Sequence, residues 1–376
     1  MIAFGLLAYT YGGYFLLVSL LGPIVRRLRP EHRVDEQARP MISLVVSLHN
    51  EERHIAQRIA NFEALDYPAE RKELLIGDDC STDRTRAIIR EQMAQNSQIR
   101  FFPFDTHQGK VTVINTLVPQ ATGEIIVFTD ANTVFAPEAL CQLTRHFSDP
   151  QIGLVSGRLV LRSATGVNLD DSYWQYETLL KKRESDLGVV LGANGGIYAI
   201  RKQLFRPLAA HVCQVDDFVW PMFTYEQGTS GIYEAAAVAS EESAPNVEAE
   251  FQRKIRIGAG NYRALVECWP LLLPWKGWIA FSFWSHKVLR WFAPFLLIAL
   301  LVTNALLREY RWLFCAQCAC YLAAGLGVFF SKQSHLLAKV LRVPYYFVGS
   351  NIALLIGFYK CVTGRQKATW TQKAHR

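Results

Sequence analysis

The amino-acid sequence predicts an α/β domain with membrane helices on both sides of it. Between residues 41 and 204, apolar runs of strand length alternate with amphipathic segments of helix length, which is typical of βαβ units around a parallel sheet. Apolar residues make up 51% of the 376 residues, and the mean hydropathy is +0.09. The apolar excess is concentrated in residues 1–22 and after residue 278, so these regions are predicted to lie in a membrane.

The first segment, residues 1–22, is predicted to be a transmembrane helix. Its apolar run, Ile2–Leu21, has about the length that crosses a bilayer. Arginines follow this run, whereas a signal peptide carries its positive charges before its apolar run and ends at a small-residue cleavage site. We therefore expect an uncleaved anchor that leaves the residues after 22 in the cytoplasm. Residues 23–40, which are charged and contain prolines, are predicted to be a linker.

The α/β domain is predicted to occupy residues 41–269. Because parallel strands need crossover connections of helix length, alternating strands and helices predict a parallel sheet covered on both faces. The predicted strands are Ile42–Leu48, Glu73–Gly77, Arg100–Phe104, Glu124–Thr129, Gly153–Leu161 and Ile197–Ile200. The predicted helices are Glu51–Ala64, Asp83–Gln95, Lys110–Leu117, Pro137–Phe147 and Val247–Cys268.

The C-terminal part is predicted to be an interfacial segment followed by membrane helices. Residues 270–291 combine tryptophans with basic side chains, as segments at a membrane surface do. Residues 292–364 contain three apolar runs of roughly spanning length and are predicted to form a bundle. Four spans from an external N-terminus would leave the basic tail, residues 365–376, outside, whereas its charge favours the inside. The two indications agree if the last run lies in the interface or re-enters the membrane. We expect a multi-pass protein of the inner (cytoplasmic) membrane.

Charge and cysteine content argue against two other classes of protein. The net charge is +7, but the basic residues are not interleaved with aromatic residues as in nucleic-acid-binding motifs, so no nucleic-acid partner is expected. The eight cysteines, Cys213 among them, show no paired spacing for zinc or disulfide bonds. This spacing favours a reduced, cytosolic setting for the α/β domain.

Four short polar segments occur in order along the predicted domain. Asp78-Asp79 and Asp130-Ala131-Asn132 each follow a predicted strand, Asp216-Asp217 comes later, and a basic stretch ends at Arg256. An open α/β sheet contacts its ligand at the carboxyl ends of its strands. A nucleotide diphosphate with a divalent cation needs acidic and basic groups together, and a further carboxylate can remove a proton. The segments therefore predict a nucleotide-diphosphate site.

The order and spacing of these segments resembles the family 2 glycosyltransferases, in particular the membrane-embedded synthases of cellulose, poly-N-acetylglucosamine and hyaluronan. The resemblance covers roughly residues 41–300. It implies a GT-A-like fold, a Rossmann-like α/β domain that binds a nucleotide sugar. It also implies a membrane-bound, inverting enzyme that moves a sugar, expected to be UDP-linked, to a growing β-glycan or exopolysaccharide.

The resemblance assigns nucleotide binding to a set of polar residues. A carboxylate can accept hydrogen bonds from a uracil N–H or a hydroxyl, and a lysine beside a glycine at a helix start can meet a diphosphate. The alternatives are that the Asp78 segment only caps the following helix and that Lys110 is an exposed lysine. The residues expected to bind the nucleotide are Asn50, Glu51, Asp78, Asp79, Lys110, Asp130 and Arg256.

Asp130 and Asn132 stand where the family carries Asp-x-Asp, so the resemblance implies a Mg²⁺ or Mn²⁺ site there. Carboxylate and amide oxygens are ligands for these hard cations. The neutral amide of Asn132 weakens the expected site but still offers an oxygen. The alternative is a strand-end turn, which aspartate and asparagine also favour.

Asp217 is expected to be the catalytic base, because it is the second member of a family-like acidic pair. It would remove the proton from the acceptor hydroxyl while that oxygen attacks the anomeric carbon. The alternative is that Asp216 caps a helix. A glycine-rich loop and the first acid of the pair are expected to contact the acceptor or donor sugar, although an ordinary turn would also contain glycines. These residues are Gly192, Ala193, Asn194, Gly195 and Asp216.

The basic segment departs from the Gln-x-x-Arg-Trp pattern of processive relatives. Aligned on Arg256, this chain has Arg253 in place of the glutamine and Ile257 in place of the tryptophan that stacks on the acceptor sugar. Loss of that ring removes about 1 kcal/mol of sugar affinity, so one alternative is a single-addition transferase acting on a polyprenyl-linked or other lipid-linked acceptor. Another alternative is a non-catalytic membrane subunit of a glycan assembly complex. The expected partners are a nucleotide-sugar donor, a glycan or lipid-linked acceptor, membrane lipids, and accessory subunits or a second copy of the chain.

Overall fold

The computed structural model describes residues 1–30, 32–162, 171–209, 215–242, 247–330 and 336–365. These residues divide into two compact units. The sheet unit contains residues 17–242 and 267–283, and the helical unit contains residues 1–16, 247–266 and 284–365. The predictions for Cys213 and for the tail beyond residue 365 fall outside the described residues.

The sheet unit is built on an eight-stranded mixed sheet. Its strands are β1 (Ile42–Leu48), β2 (Lys72–Asp79), β3 (Ile99–Phe104), β4 (Ile125–Phe128), β5 (Val134–Phe135), β6 (Ile152–Arg162), β7 (Tyr198–Arg201) and β8 (Ser230–Glu242). They are ordered β3-β2-β1-β4-β7-β6-β8-β5. The first four strands are parallel to one another, as the alternating sequence pattern predicts.

Strand β7 is an exception to the predicted parallel sheet. It pairs antiparallel with β4 on one side and with β6 on the other, so β4 and β6 run in the same direction. Strand β8 is parallel to β6, and β5 is antiparallel to β8. The prediction of a parallel sheet is confirmed for β1 to β4 and wrong for the sheet as a whole. The chain enters β7 at the edge of the sheet where β4 ends, so β7 runs antiparallel to β4. No local sequence pattern predicts the direction of a strand.

Helices cover the sheet and form the helical unit. Short π-helical turns at Tyr9–Gly13 and Phe283–Val288 connect α1 to α2 and α10 to α11. In chain order the described helices are α1 (Ile2–Ala8), α2 (Tyr14–Leu28), α3 (Ile55–Glu63), α4 (Thr85–Met93), α5 (Lys110–Gln120), α6 (Ala139–Thr144), α7 (Asp171–Asp186), α8 (Asp216–Glu226), α9 (Val247–Glu267), α10 (Trp278–Ser282), α11 (Leu289–Trp291), α12 (Ala293–Leu306), α13 (Arg311–Phe330) and α14 (Leu336–Val362).

The core lies between the sheet and the helices packed on it. Helix α3 buries Ile55, Ile59 and Phe62, whose spacing places them on one face of the helix. Leu74 and Ile76 of β2 belong to the same apolar cluster and are inaccessible to solvent. Because alternate residues of a strand point to one face, this packing holds β2 in register and fixes the position at which it ends.

Helices that could cross a membrane lie at both ends of the chain. By length and composition, Ile2–Leu28, Arg308–Phe329 and Val340–Val362 qualify among the described residues. Trp278–Trp291 and Ala293–Leu306 qualify together and are bent by 58° at their junction, which fits a broken span or a re-entrant loop. The N-terminal helical run ends at Leu28, several residues beyond the predicted boundary at 22.

Candidate active site

The sheet brings the predicted motifs to one edge. Strand β2 ends at Asp79, and β4 ends at Phe128, just before Asp130. Phe128 pairs with Tyr198, the first residue of the antiparallel β7, so the glycine-rich loop 192–196 also reaches this edge. Because parallel strands share a carboxyl edge, segments that are far apart in the chain meet here.

Lys110 joins two of the motifs directly. Its Nζ lies 3.0 Å from Oδ1 of Asp130 and 3.2 Å from Oδ2 of Asp216. Burial opposes the ammonium charge, but the two carboxylates outweigh burial and raise the pKa of Lys110. The lysine therefore stays charged and links α5, the end of β4 and the start of α8.

Asp217 lies in the first turn of α8 and is partly accessible to solvent. Removal of surrounding water and the charge of Asp216 raise the pKa of Asp217 to about 6, although Lys110 and Lys181 act to lower it. Such a carboxylate is ionised at neutral pH but binds a proton more strongly than an ordinary aspartate. Val215 is the N-cap residue, and no side chain caps α8, so the alternative in which Asp216 caps this helix is wrong.

Stacked aromatic rings lie next to the acidic cluster. The ring of Phe128 is 4.6 Å from that of Tyr198 and 5.3 Å from that of Trp220, with both pairs stacked. Trp220 lies on α8 one turn after Asp216, so the stack holds the start of α8 near the last residue of β4 and the first residue of β7. Burial and the nearby carboxylates raise the pKa of Tyr198 well above its ordinary value, so its hydroxyl stays protonated.

The glycine-rich loop contacts Asp217 through its backbone. The N–H of Ala193 donates to the carbonyl oxygen of Asp217 at 2.8 Å. A Cβ atom on Gly195 would lie 3.0 Å from Oδ2 of Asp217, so the missing side chain leaves room for the carboxylate. Gly192 has a φ of +78°, a conformation that glycine adopts without strain. The glycines therefore allow the backbone to lie close to the predicted base.

A lysine that the sequence analysis did not identify holds this loop. Lys181 is buried on α7, and its Nζ lies 2.6 Å from Oδ1 of Asn194. The side-chain amide of Asn194 donates to the carbonyl of Gly157 at 2.6 Å, and its backbone N–H donates to Oγ of Ser156 at 3.1 Å. Adjacent lysines on a helix usually indicate a solvated face, so no sequence signal separated buried Lys181 from exposed Lys182.

Asp79 binds the backbone of the loop before α5. Its Oδ1 accepts the N–H of Gln108 at 2.6 Å, and its Oδ2 accepts the N–H of Gly109 at 2.8 Å. The ring of His107 lies 2.8 Å from the same Oδ2. Both carboxylate oxygens therefore position the loop that carries Lys110, and nucleotide binding by Asp79 stays a prediction.

The other residues expected on the nucleotide side lie at or just after the ends of β1 and β2. Asp78 pairs with Arg86. The side-chain oxygen of Asn50 accepts a backbone N–H from the loop after β2 at 2.8 Å, and Glu51 pairs with His54 at 2.7 Å. These contacts order the loops at this edge, and nucleotide binding by the three residues stays a prediction.

Asp130 and Asn132 are the residues available for the expected divalent cation. Both lie just after β4, are partly exposed, and carry oxygen atoms that can bind a metal ion. In the part of the chain that the structure describes, no group of three or more His, Cys, Asp or Glu side chains is arranged to hold a metal ion. Two oxygen ligands from the protein fit a Mg²⁺ or Mn²⁺ ion whose other ligands are substrate phosphates and water.

Arg256 and Ile257 lie on α9 in the helical unit. The remaining predicted site residues belong to the sheet unit. The expected contact between Arg256 and a diphosphate stays a prediction.

Replacing Asp79 with asparagine should loosen the loop that carries Lys110. The amide keeps one acceptor and turns its N–H groups toward a backbone N–H that needs an acceptor. We expect the amide hydrogens of Gln108 and Gly109 to exchange roughly tenfold faster in the variant, as measured by hydrogen–deuterium exchange of the full chain in detergent. Asp105→Asn is the matched control, since Asp105 is exposed. Unchanged exchange in Asp79→Asn would contradict the positioning role.

Comparison with known proteins assigns a family to the sheet unit. Residues 43–208 match the family described as Glycosyl transferase family 2. Poly-beta-1,6-N-acetyl-D-glucosamine synthase from Staphylococcus aureus is 25% identical over 199 residues, which are 50% of this chain and 47% of that protein. Beta-monoglucosyldiacylglycerol synthase from a Nostoc species is 27% identical over 174 residues, 44% of this chain and 36% of that protein. The chain therefore spans less than half the length of either curated relative.

A solved structure shows the same fold. A mannosyltransferase from Pyrobaculum calidifontis, solved in complex with GDP-Man and Mn²⁺, superposes with a TM-score of 0.66 over 97% of this chain and 99% of that one. The two sequences are 20% identical, so the likeness shows the fold alone. Residues 43–208 of the chain thus match the family 2 glycosyltransferases, and the fold around the motifs at the carboxyl edge is the GT-A fold.

Proposed function

We propose that this protein is a membrane-bound, inverting glycosyltransferase that moves a sugar from a UDP-sugar to a growing β-glycan or exopolysaccharide. The observation that carries the proposal is the contact of Lys110 with Asp130 and Asp216, directly beside Asp217. A cation for the diphosphate, an oxygen ligand for a metal and a carboxylate with a raised pKa thus lie together. The names of both curated relatives specify a β-linked product.

Asp217 is the proposed base. Its carboxylate takes the proton of an acceptor hydroxyl, whose oxygen forms a bond to the anomeric carbon of the donor. The bond between that carbon and the diphosphate oxygen breaks, and the nucleoside diphosphate leaves with the electron pair. Attack from the face opposite the leaving group turns an α-linked donor into a β-glycoside. A pKa of about 6 suits this role, since the group is ionised at neutral pH and still accepts a proton.

Lys110 is proposed to bind the diphosphate at the start of α5. A helix N-terminus and an ammonium group both favour negative charge. Asp130 and Asn132 would hold Mg²⁺ or Mn²⁺, which when bound neutralises charge on the diphosphate. Arg256 is proposed as a further cation for the same group.

The protein is proposed to lie in the inner (cytoplasmic) membrane as a multi-pass protein. The arginines that follow the N-terminal apolar run favour the cytoplasmic side, so the sheet unit is proposed to lie in the cytoplasm with access to nucleotide sugars. Its proposed partners are membrane lipids, a glycan or lipid-linked acceptor, and accessory subunits or a second copy of the chain.

A second candidate function is the addition of one sugar to a lipid-linked acceptor. Ile257 offers no flat face on which an acceptor sugar could stack, and one curated relative is named for a glycolipid product. A weakly held acceptor leaves after one addition, whereas a stacked glycan stays for the next. Product length separates the two functions.

The proposed function is tested by supplying the full chain, in membranes, with UDP-glucose, UDP-N-acetylglucosamine, UDP-galactose or GDP-mannose. Mass analysis should show β-linked sugar transferred from a UDP donor. A polymer or ladder supports the glycan synthase, and one sugar on a lipid supports the second candidate. Neither transfer nor nucleotide release with any donor would contradict both enzymes and favour a non-catalytic subunit.

Asp217→Asn should abolish transfer while leaving nucleotide binding intact. The amide keeps the shape of the side chain but cannot take the acceptor proton, so turnover should fall by roughly 10²–10⁴-fold. Turnover and UDP binding are measured on the same preparation. If Asp217→Asn keeps full turnover while Asp216→Asn loses it, the base is Asp216.

Transfer should also depend on pH through Asp217. The pKa of this group is raised to about 6, and only its ionised form is a base, so activity is present above this pH and lost below it. Below the pKa, kcat/KM should fall about tenfold per pH unit. The measurement is a profile of kcat/KM between about pH 5 and pH 8. A flat profile over this range is the result that would remove Asp217 as the base.

Metal removal should stop transfer. A chelator should inactivate the enzyme, added Mg²⁺ or Mn²⁺ should restore it, and Asp130→Ala should stay inactive in both conditions. Asn132→Asp adds a charge to the site and should lower the metal concentration needed for half-maximal activity by several-fold. Full activity of the wild type in chelator would overturn metal dependence.

A further inference from the structure

Lys181 lies in an environment that is unfavourable for an isolated charge. It is 8% exposed on α7, whereas Lys182, the next residue, is exposed. A buried ammonium destabilises the fold unless hydrogen-bond acceptors and a negative charge compensate it. The residues around Lys181 therefore indicate what its charge does.

One hydrogen bond of Lys181 leads toward the proposed base. Lys181 donates to Asn194 at 2.6 Å, and Asn194 is itself held by the carbonyl of Gly157 at 2.6 Å. The preceding residue, Ala193, donates its N–H to the carbonyl of Asp217 at 2.8 Å. On the other side of Asn194, Gly195 lies against the Asp217 carboxylate. A shift of Asn194 would therefore move both backbone contacts of the base.

Lys110 and Lys181 both act on Asp217. Burial and the charge of Asp216 raise the pKa of Asp217, whereas the charges of Lys110 and Lys181 lower it. Lys110 also pairs with two carboxylates, Asp130 and Asp216. Among the described residues, the titratable groups that act on Asp217 include Asp216 of α8, Lys110 of α5, Asp130 after β4, Tyr198 of β7 and Lys181 of α7.

We propose that Lys181 is a positioning residue for Asp217, which through Asn194 holds the glycine-rich loop against the base. This inference rests on the proposed function, in which Asp217 is the base. Lys181 acts through Asn194 and through its charge, without taking part in the transfer itself. Its removal should therefore change turnover and pH dependence more than donor binding.

Three substitutions separate the charge from the hydrogen bond. Lys181→Met removes both, Lys181→Gln keeps a donor for Asn194 without the charge, and Lys181→Arg keeps both. Lys182→Met is the matched control on the exposed face. The full chain in detergent is assayed by nucleotide release from whichever of the four named donors turns over fastest, with kcat, donor KM and the pH profile measured for each variant.

We expect Lys181→Met to lower kcat at pH 6.5 roughly tenfold or more and to change the donor KM by less than about twofold. The acidic limb of its profile should move up by about one pH unit, because an opposite charge near Asp217 has been removed. Lys181→Gln should show the same shift and recover most of its activity above about pH 8. In Lys181→Arg and Lys182→Met, the acidic limb of the pH profile should stay at the wild-type pH.

The outcomes distinguish this inference from the proposed function. If Asp217→Asn is inactive but Lys181→Met and Lys181→Gln keep the wild-type limb and kcat, Lys181 has no positioning role. A fall in kcat without a shifted limb in Lys181→Gln also overturns the electrostatic part of the proposal. Activity in Asp217→Asn overturns the proposed base and this inference with it. If Lys181→Met does not fold, the test uses Lys181→Gln, which lacks the charge, and Lys181→Arg, which keeps it. The acidic limb of the pH profile should be shifted in the first and unshifted in the second.

Discussion

The ion contact between Lys110, Asp130 and Asp216 is the interaction on which the site depends. Three carboxylates, including Asp217, lie close together at the edge of the sheet, and their mutual repulsion would separate them without a cation. Lys110 bridges the segment after β4 and the first turn of α8, so one side chain offsets the repulsion and joins three parts of the chain. The same charge is available to a diphosphate, which would compete with the carboxylates for it.

The loops around this cluster are ordered by side chains that bind backbone. Asp79 accepts two consecutive N–H groups before α5, and Asn194 binds the backbone of β6 while Lys181 holds its amide oxygen. A loop tied in this way has few conformations left to lose when a ligand binds, so less of the binding energy is spent on ordering it. The stack of Phe128 and Trp220 supports α8 from the apolar side.

The apolar helices bear on the proposed choice of acceptor. Helices long enough to cross a membrane occur at both ends of the chain, and the pair at 278–306 is bent. Helices of this kind would hold the proposed enzyme at the surface where lipid-linked acceptors are found, and a bent pair fits a segment that enters the bilayer partway. The names of the two curated relatives specify a polysaccharide and a glycolipid, and Ile257 on α9 is the residue at which the present chain departs from the processive pattern.

The sequence by itself determined the fold class, the order of the motifs and the apolar segments that are long enough to cross a membrane. Periodicity and burial are local properties, which explains why β1 agrees with its predicted bounds, Ile42–Leu48, residue for residue. Motifs at strand ends could be assigned to the site because the carboxyl edge of a parallel sheet gathers them wherever they lie in the chain. The sequence also shows the order of Asp79, Lys110, Asp130 and Asp217 along the chain, but it does not show their contacts.

Only the tertiary structure decided the direction of β7, the pairing of Lys110 and the burial of Lys181. The direction of β7 depends on the edge at which the chain re-enters the sheet, and that edge is set by the packing of segments distant in sequence. Lys181 and Lys182 are chemically identical, and only the neighbours that α7 meets make one of them buried and the other exposed. Contacts between residues far apart in the chain leave no periodic signal in the sequence, and these contacts determine which charges surround Asp217.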